Sequence, residues 1–137
     1  MKHLLDTSAI LAHFLDEPGS DLVTQFLSAG KTRVFLSAPT WAELERRLGE
    51  LIPDQEEADR VWAFYTQELC GFLPLDAASV RSAIELRRSS TNRIPLVDSL
   101  IAGSAFAHKM VLVHRDGHME KIEDAPQKVI ALPNKAP

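Results

Sequence analysis

The feature that most constrains this fold is a series of short apolar runs separated by segments with helical spacing. The first run is Lys2–Leu5, which Asp6 follows directly. Further runs occur at Arg33–Ser37, Phe72–Leu75, Met110–Val113 and Val129–Leu132. Short, continuously apolar strands that alternate with helices are typical of a parallel sheet buried on both faces. The pattern therefore predicts an α/β fold around a central, mostly parallel sheet of four or five strands.

Helical spacing fills the connections between these runs, and breakers or capping residues mark the ends of each helix. The predicted helices run from about Ile10 to Asp16, Ser20 to Gly30, Pro39 to Pro53, Asp54 to Gly71, Asp76 to Arg88 and Pro95 to Lys109. The first three connections thus hold two helices each, unlike the one-helix alternation of a simple dinucleotide-binding fold. No repeat or linker interrupts the chain, so we expect one domain over residues 1–137.

Charge and cysteine content limit the classes of protein that fit. Fifteen Lys and Arg against nineteen Asp and Glu give a net charge of −4, which argues against a polyanionic partner unless the excess acids serve one site. The longest uncharged run, Ser99 to His108, is shorter than the ~20 residues of a spanning helix. We therefore expect no membrane segment. Because Asp6 interrupts the first apolar run, we expect no signal peptide. Cys70 is the one cysteine in the sequence, and we expect it to be a small buried residue. These features predict a cytoplasmic protein.

Four acids fall where a parallel sheet binds its ligands, beyond the carboxyl ends of the strands. Asp6 ends the first strand, and Glu43 lies about one turn into the helix after the second. Asp98 lies in the first turn of the helix that returns to the strand at Met110–Val113, and Asp116 follows that strand. We therefore expect these four carboxylates to converge despite their separation along the chain.

Converging carboxylates repel one another and need a positive partner. A hard divalent cation supplies one, and a set of carboxylates with water favours Mg²⁺ or Mn²⁺ over Zn²⁺. Such a centre polarises a phosphoryl oxygen and activates water for in-line displacement. The sequence thus predicts a metal centre that suits phosphoryl chemistry.

Each acid also has a simpler interpretation. Asp98 is favoured in any first turn by the helix dipole, and Asp116 precedes Gly117 in what reads as a turn. Glu43 has Arg47 at i+4 on its own helix, which allows an exposed ion pair. Asp6 is the hardest to explain away, because a carboxylate that ends an apolar strand is costly without a partner.

Basic residues near the acids are candidates for binding a phosphate backbone, since guanidinium groups grip phosphates through a planar fork. Arg115 is the favoured candidate because it adjoins Asp116, and Arg47 lies one turn beyond Glu43. Arg87 and Arg88 equally suit a solvated surface. His114 and His118 flank Asp116 and suit either extra metal ligation or an ordinary core or surface position. The full set of candidate arginines is Arg46, Arg47, Arg87, Arg88, Arg93 and Arg115.

Four segments hold the acids: Leu4-Leu5-Asp6-Thr7-Ser8-Ala9-Ile10, Ala42-Glu43-Leu44, Pro95-Leu96-Val97-Asp98-Ser99-Leu100-Ile101-Ala102, and Val113-His114-Arg115-Asp116. In this order and spacing the chain resembles the PIN-domain ribonucleases, most of all the VapC toxins of bacterial toxin–antitoxin pairs. The resemblance spans nearly the whole chain. It implies a PIN-like three-layer α/β/α fold.

The resemblance further implies an endoribonuclease that uses Mg²⁺, with Mn²⁺ as a substitute, to cut single-stranded regions of RNA. Asp6, Glu43, Asp98 and Asp116 would be its catalytic and metal-binding residues. Thr7 or Ser8 would steady Asp6 or a metal-bound water, and both count with Arg47 and Arg115 as expected substrate-binding residues. A homodimer and a cognate antitoxin that blocks the site are also implied.

Two other functions stay open at this point. His114 stands where the family often has Thr, Ser or Asn, which allows a PIN-fold module that binds RNA or protein without cutting. An aspartyl phosphoryl-transfer domain would use Asp6 as a nucleophile. The second is disfavoured, because phosphatases of that kind typically need another acid two positions later, where this chain has Ser8.

Overall fold

The computed structural model describes residues 2–28, 33–91, 93–115 and 129–133. Within those ranges six helices and five strands follow one another along the chain. They are β1 (Lys2–Leu5), α1 (Thr7–Phe14), α2 (Ser20–Ser28), β2 (Arg33–Ser37), α3 (Ala38–Leu51), α4 (Gln55–Glu68), β3 (Gly71–Leu73), α5 (Ala77–Ser89), α6 (Leu96–Ala107), β4 (Val111–His114) and β5 (Val129–Ala131). The first three crossovers each contain two helices, as predicted.

The five strands form one sheet in the order β3-β2-β1-β4-β5, and every neighbouring pair is parallel. Leu4 of β1 lies in register between Phe35 of β2 and Leu112 of β4. The predicted α/β fold with a parallel sheet is thus confirmed. β3 is an edge strand, which agrees with the proline that follows it.

Apolar side chains cover both faces of the sheet and form two cores. Leu5, Leu36 and Val113 pack with residues of α1, α2, α3 and α4 on one face. Leu4 and Leu112 pack with residues of α5 and α6 on the other. Successive residues of a strand point to opposite faces, so a continuously apolar strand serves both cores. This arrangement is the three-layer α/β/α architecture.

Side-chain caps fix where several helices begin. Asp6 caps α1, Ser37 caps α3, Asp54 caps α4 and Asp76 caps α5, each by accepting a backbone N–H of the first turn. These acceptors satisfy donors that the helix itself leaves unpaired. Each of these helices therefore begins directly after a polar capping residue.

Helices α5 and α6 lie in close contact at Gly103. A Cβ at this position would lie 2.6 Å from the backbone nitrogen of Ala83 and 2.7 Å from the carbonyl oxygen of Ser79. Only a residue without a side chain permits this approach of the two helices. No helix in the described ranges combines the length and apolar character needed to cross a membrane.

The environment of Cys70 differs from the expectation. Cys70 is exposed rather than buried. It lies in the turn between α4 and β3, where its backbone N–H donates to the carbonyl of Val34 at 2.8 Å. The backbone of Cys70 is thus hydrogen-bonded to the sheet while the residue itself is exposed. Amino-acid composition does not reveal this exposure.

Candidate active site

Asp6 lies where β1 gives way to α1. Its backbone N–H donates to the carbonyl of Val113 at 2.9 Å and so continues the pairing of β1 with β4. Asp6 is buried, with 3% exposure, and its side chain caps α1. Asp6 Oδ2 accepts from the Ser8 hydroxyl at 2.6 Å and from the Ser8 backbone N–H at 3.2 Å. A carboxylate at the end of an apolar strand is thereby partnered, as its burial requires.

Glu43 reaches the same edge of the sheet from α3. This helix begins directly after β2 because Ser37 Oγ accepts the Thr40 backbone N–H at 3.3 Å. Glu43 lies in the second turn and is half-buried. The alternative of an ion pair with Arg47 is not what the structure shows, since Arg47 Nη1 lies 3.0 Å from Glu50 Oε2 instead.

Asp98 reaches the site from the first turn of α6. The helix has Pro95 at its N-cap and no side-chain cap. Its C-terminal end leads into β4, so its N-terminal end lies at the carboxyl edge of the parallel sheet. Asp98 is half-buried there. A first-turn carboxylate is favoured by the helix dipole, so Asp98 stabilises α6 in addition to any role in the site.

The three carboxylates line one cavity of about 200 Å³. We call it the acidic cavity, and its lining residues are Asp6, Thr7, Ser8, Leu11, Glu43, Arg46, Arg47 and Asp98. The structure thus brings together Asp6, Glu43 and Asp98, which come from three separate crossovers. Asp116, the fourth predicted acid, lies outside the described residues.

Positive charge partly balances the acids of this cavity. Arg46 and Arg47 share its lining, while their guanidinium groups are also held by Glu50 at 2.8 and 3.0 Å. The N-terminal ends of α1 and α6 add the positive ends of two helix dipoles. With Glu50 counted beside the three lining carboxylates, four acids face two guanidinium groups, and this excess of negative charge favours a cation over an anion.

The donor chemistry of the acidic cavity fits Mg²⁺ or Mn²⁺. Its three acids offer only oxygen, the ligand that these hard cations prefer. Thr7 Oγ1 is also buried and has no hydrogen-bond partner among the described residues. A buried hydroxyl without a partner is costly, so this atom is suited to a ligand or water in the cavity. Asp6, Glu43 and Asp98 are the residues that would hold a dication.

The carboxylates do not form a closed cage. Over residues 2–28, 33–91, 93–115 and 129–133, no group of three or more His, Cys, Asp or Glu side chains has metal-ligand spacing. Like charges repel, so carboxylates that share a cavity stay apart unless a cation draws them together. A dication in this cavity would therefore need these side chains to turn toward it.

Arg115 differs from its predicted surroundings, whereas His114 takes the core position that was one of its predicted alternatives. The Arg115 guanidinium does not line the acidic cavity, because it pairs with Glu17 at 2.8 Å. His114 is fully buried at the end of β4, where its carbonyl accepts the Leu132 backbone N–H at 2.7 Å. His114 is therefore a core residue in the sheet rather than a lining residue of the cavity. His118 lies outside the described residues.

Glu17 is a residue near the site that sequence reasoning missed. The stretch Asp16–Gly19 is typical only of a helix breaker, yet Glu17 pairs with a residue 98 positions away. No local pattern marks such a pair. Its partner Arg115 donates its backbone N–H to Ser8 Oγ at 2.9 Å, which connects Glu17 to the acidic cavity.

A second, larger cavity lies between α1 and α4 and encloses about 430 Å³. We call it the α1–α4 cavity; it is lined by His13, Phe14, Glu57, Arg60, Val61, Phe64 and Tyr65. His13 Nδ1 and the Tyr65 hydroxyl are 2.8 Å apart. Burial raises the pKa of Tyr65 to about 12 and lowers the pKa of His13, against which Asp16 acts in the opposite direction. Both groups are therefore neutral near pH 7.

Comparison with known proteins identifies the fold family. A family model described as PIN domain matches residues 3–125. A chain of VapBC2 from Rickettsia felis, bound to a promoter DNA fragment, has a TM-score of 0.79 at 20% identity, covering 97% of this chain and 100% of that one. A chain of VapBC-1 from nontypeable Haemophilus influenzae has a TM-score of 0.74 at 20% identity, and the likeness covers 96% of this chain and 98% of that one.

A third solved structure, VapBC-5 from Mycobacterium tuberculosis, is described as a member of the VapBC family of toxin–antitoxin systems. Its TM-score is 0.65 at 21% identity, and the likeness covers 95% of this chain and 98% of that one. At such identities the likeness establishes the fold. No curated protein sequence matches this chain.

Proposed function

Because this chain belongs to the PIN domain family, we propose that it is a metal-dependent endoribonuclease, the VapC-type toxin of a toxin–antitoxin pair. The observation that carries the proposal is the acidic cavity. Asp6, Glu43 and Asp98 come from three crossovers and line one space of about 200 Å³. Three carboxylates in one small cavity repel one another and offer the fold no evident stability, whereas they suit a dication of the kind that assists phosphodiester hydrolysis.

The proposed cofactor is Mg²⁺, with Mn²⁺ as a substitute, held by Asp6, Glu43 and Asp98 with Asp116 as the fourth acid. When bound, the dication polarises the scissile phosphoryl group and lowers the pKa of water. Asp6 offers a fixed carboxylate because Ser8 donates to it twice. Glu43 and Asp98 are half-buried and line the cavity, so their side chains can turn toward a ligand there.

Arg46 and Arg47 are the proposed contacts to the RNA backbone. They lie on the face of α3 that carries Glu43, and their side chains retain 64% and 39% exposure. Glu50 holds both guanidinium groups and so limits their rotamers. Phosphates beside the scissile bond would replace solvent on these groups, which orients the strand without reading its bases. Thr7 and Ser8 complete the proposed substrate-binding set.

The proposed partners are an RNA substrate, a cognate antitoxin that blocks the acidic cavity, and a second copy of the chain in a homodimer. The toxin–antitoxin description of the VapBC-5 structure supports the antitoxin. An acidic cavity with an excess of negative charge is also a site that a basic side chain of an inhibitor would fill. A toxin that cuts cellular RNA would act in the cytoplasm.

A binding module without catalysis is the second candidate function. Two observations favour it: His114 is a buried core residue, and the described carboxylates lack closed metal-ligand spacing. Such a module would bind RNA or protein through the same arginines, and its binding would not depend on the metal. The two functions therefore make opposite predictions about chelation.

The test is cleavage of labelled, structured RNAs by wild type, Asp6→Asn and Asp98→Asn, each with Mg²⁺, Mn²⁺ or EDTA. We expect cleavage only by the wild-type protein, and only when Mg²⁺ or Mn²⁺ is present. Asp54→Asn is the matched control, because Asp54 caps α4 as Asp6 caps α1 but does not line the acidic cavity. Equal cleavage by wild type and Asp6→Asn would reveal a contaminating nuclease. RNA binding without cleavage, unchanged by EDTA, would establish the binding module instead.

A further inference from the structure

A largely buried ion pair joins the end of β4 to the connection between α1 and α2. Arg115 Nη2 lies 2.8 Å from Glu17 Oε1, and the two side chains retain 12% and 13% exposure. Arg115 Nη1 also donates to the carbonyl of Pro18 at 3.5 Å. Removing one member of a buried pair leaves an uncompensated charge, unlike the removal of a surface pair. The pair therefore holds Arg115 in one place.

The connection that carries Glu17 is itself fixed. The Glu17 backbone N–H donates to the carbonyl of Ala12 at 2.9 Å, and the Glu17 carbonyl accepts the Ser20 N–H at 3.0 Å. Gly19 follows with a φ of +96°, and a Cβ there would lie 2.9 Å from the Cβ of Leu132. Glycine alone tolerates both the left-handed backbone and this approach. Glu17 is thus presented to Arg115 from a rigid turn.

The position of Arg115 determines the orientation of the Ser8 hydroxyl. The Arg115 backbone N–H donates to Ser8 Oγ at 2.9 Å, and an N–H has no accepting capacity. Ser8 Oγ lies 2.6 Å from Asp6 Oδ2. Since a hydroxyl has one proton and its oxygen already accepts from Arg115, that proton is directed to Asp6. A continuous chain of hydrogen bonds then runs from β4 to the carboxylate.

The geometry points to Glu17 and Arg115 as positioning residues that orient the Asp6 carboxylate through Ser8. Neither side chain lines the acidic cavity; the ion pair fixes the backbone at Arg115, and that backbone fixes Ser8. Groups behind metal-binding carboxylates commonly tune affinity in this way. The part of this inference that concerns metal affinity rests on the proposed function, whereas the hydrogen-bond chain does not.

The first test measures the chain of hydrogen bonds directly, by amide hydrogen exchange in the full-length protein. In Glu17→Gln we expect the amides of Arg115 and Ser8 to exchange at least tenfold faster than in wild type. Asp76→Ala is the control, because it removes the pair between Asp76 and His108 and the cap of α5 without touching the lining of the acidic cavity. We expect it to lower the Tm without changing those two amides.

The second test measures Mn²⁺ affinity by calorimetry. We expect Ser8→Ala and Glu17→Gln each to weaken Mn²⁺ binding about tenfold, the lower end of the range for groups behind metal ligands. If Glu17 acts through Ser8, the double variant binds Mn²⁺ as weakly as Ser8→Ala alone. Glu17→Asp keeps the charge but shortens the side chain, and we expect a smaller reduction in affinity should Glu17→Gln fold poorly.

These outcomes separate positioning from a purely structural role. Additive reductions of affinity in the double variant, or a lowered Tm with wild-type exchange at Arg115 and Ser8, would overturn the inference. A wild type that binds no Mn²⁺ and cuts no RNA would defeat the proposed function, and the exchange measurement would still decide whether the ion pair orients Ser8. If Glu17→Gln binds Mn²⁺ with wild-type affinity, the proposed function stands, and the positioning role of Glu17 and Arg115 is rejected.

Discussion

The acidic cavity and the α1–α4 cavity both border helix α1 and have opposite chemistry. The first measures about 200 Å³ and gathers three carboxylates and two arginines. The second measures about 430 Å³, with Phe14, Val61 and Phe64 among its walls and a neutral His13–Tyr65 pair. Larger volume therefore does not mark the place where chemistry is expected. The better indicator of a reactive site is the convergence of charged side chains from distant segments, because bringing like charges together costs free energy that a bound ligand offsets.

The largest expected difference concerns a pair of matched glutamates. Glu43 lines the acidic cavity and Glu57 lines the α1–α4 cavity, and each lies on a helix. We expect Glu43→Gln to lower kcat for RNA cleavage about 100-fold, the size typical of removing one group that stabilises a transition state. Glu57→Gln should leave kcat within about twofold, since its side chain does not line the acidic cavity. Equal effects of both variants on cleavage would remove the distinction between the cavities.

A second pair compares arginines. We expect the double variant Arg46→Gln/Arg47→Gln to raise KM for RNA about tenfold, equivalent to about 1.4 kcal/mol of binding free energy. The slope of log affinity against log salt should fall by about one for each phosphate that the variant no longer neutralises. Arg60→Gln, in the wall of the α1–α4 cavity, should change neither. A salt slope that stays at the wild-type value would show that α3 does not bind the backbone.

Two hydroxyl groups sharpen the comparison through stability. Tyr65 in the α1–α4 cavity has His13 as partner, so Tyr65→Phe should lower the free energy of unfolding by about 1 kcal/mol and leave cleavage unchanged. Thr7 Oγ1 has no partner among the described residues, so Thr7→Val should not destabilise the fold, while cleavage falls. Chemical denaturation together with RNA cleavage checks both. A Thr7→Val protein with full activity would exclude the hydroxyl from the site.

The smallest expected effect is a pH dependence of the α1–α4 cavity. Burial holds the pKa of His13 below its usual 6.5, so the unfolded chain binds this proton more readily than the folded protein does. The neutral form therefore favours folding above about pH 6.5, and this advantage declines as the pH falls toward the lower folded-state pKa. We expect the Tm to fall less between pH 7.5 and 5.5 in His13→Gln than in wild type. If the curves of Tm against pH are parallel in His13→Gln and wild type, the pH dependence of stability comes from other groups.

Much of the fold is predictable because local and long-range signals agree. The apolar run at Arg33–Ser37 has the same bounds as β2, and Asp76 caps α5 as its sequence position indicates. Ligands bind beyond the carboxyl ends of the strands in a parallel sheet, and this rule predicts that Asp6, Glu43 and Asp98 lie in one site. That inference needs only strand direction and helix starts, both of which leave clear marks in a sequence.

The direction of side chains is not predictable in the same way. Arg115 adjoins Asp116 in sequence, which makes it the favoured phosphate contact, yet its guanidinium pairs with Glu17. Cys70 is predicted in the interior and is exposed. Each depends on how a side chain is turned from a backbone already in place, and residues far apart in sequence decide that direction. For the same reason, no sequence pattern reveals the contribution of Glu17 to the surroundings of Ser8.

The most direct measurement is a crystal structure of the full chain soaked with Mn²⁺, using anomalous scattering to locate the ion. We expect one anomalous peak in the acidic cavity, roughly 2 Å from carboxylate oxygens of Asp6 and Asp98 and with Glu43 turned toward it, directly or through water. The peak should disappear in Asp98→Asn. Anomalous density elsewhere, or none in a protein that still cuts RNA, would contradict the claim that these carboxylates gather to hold a dication.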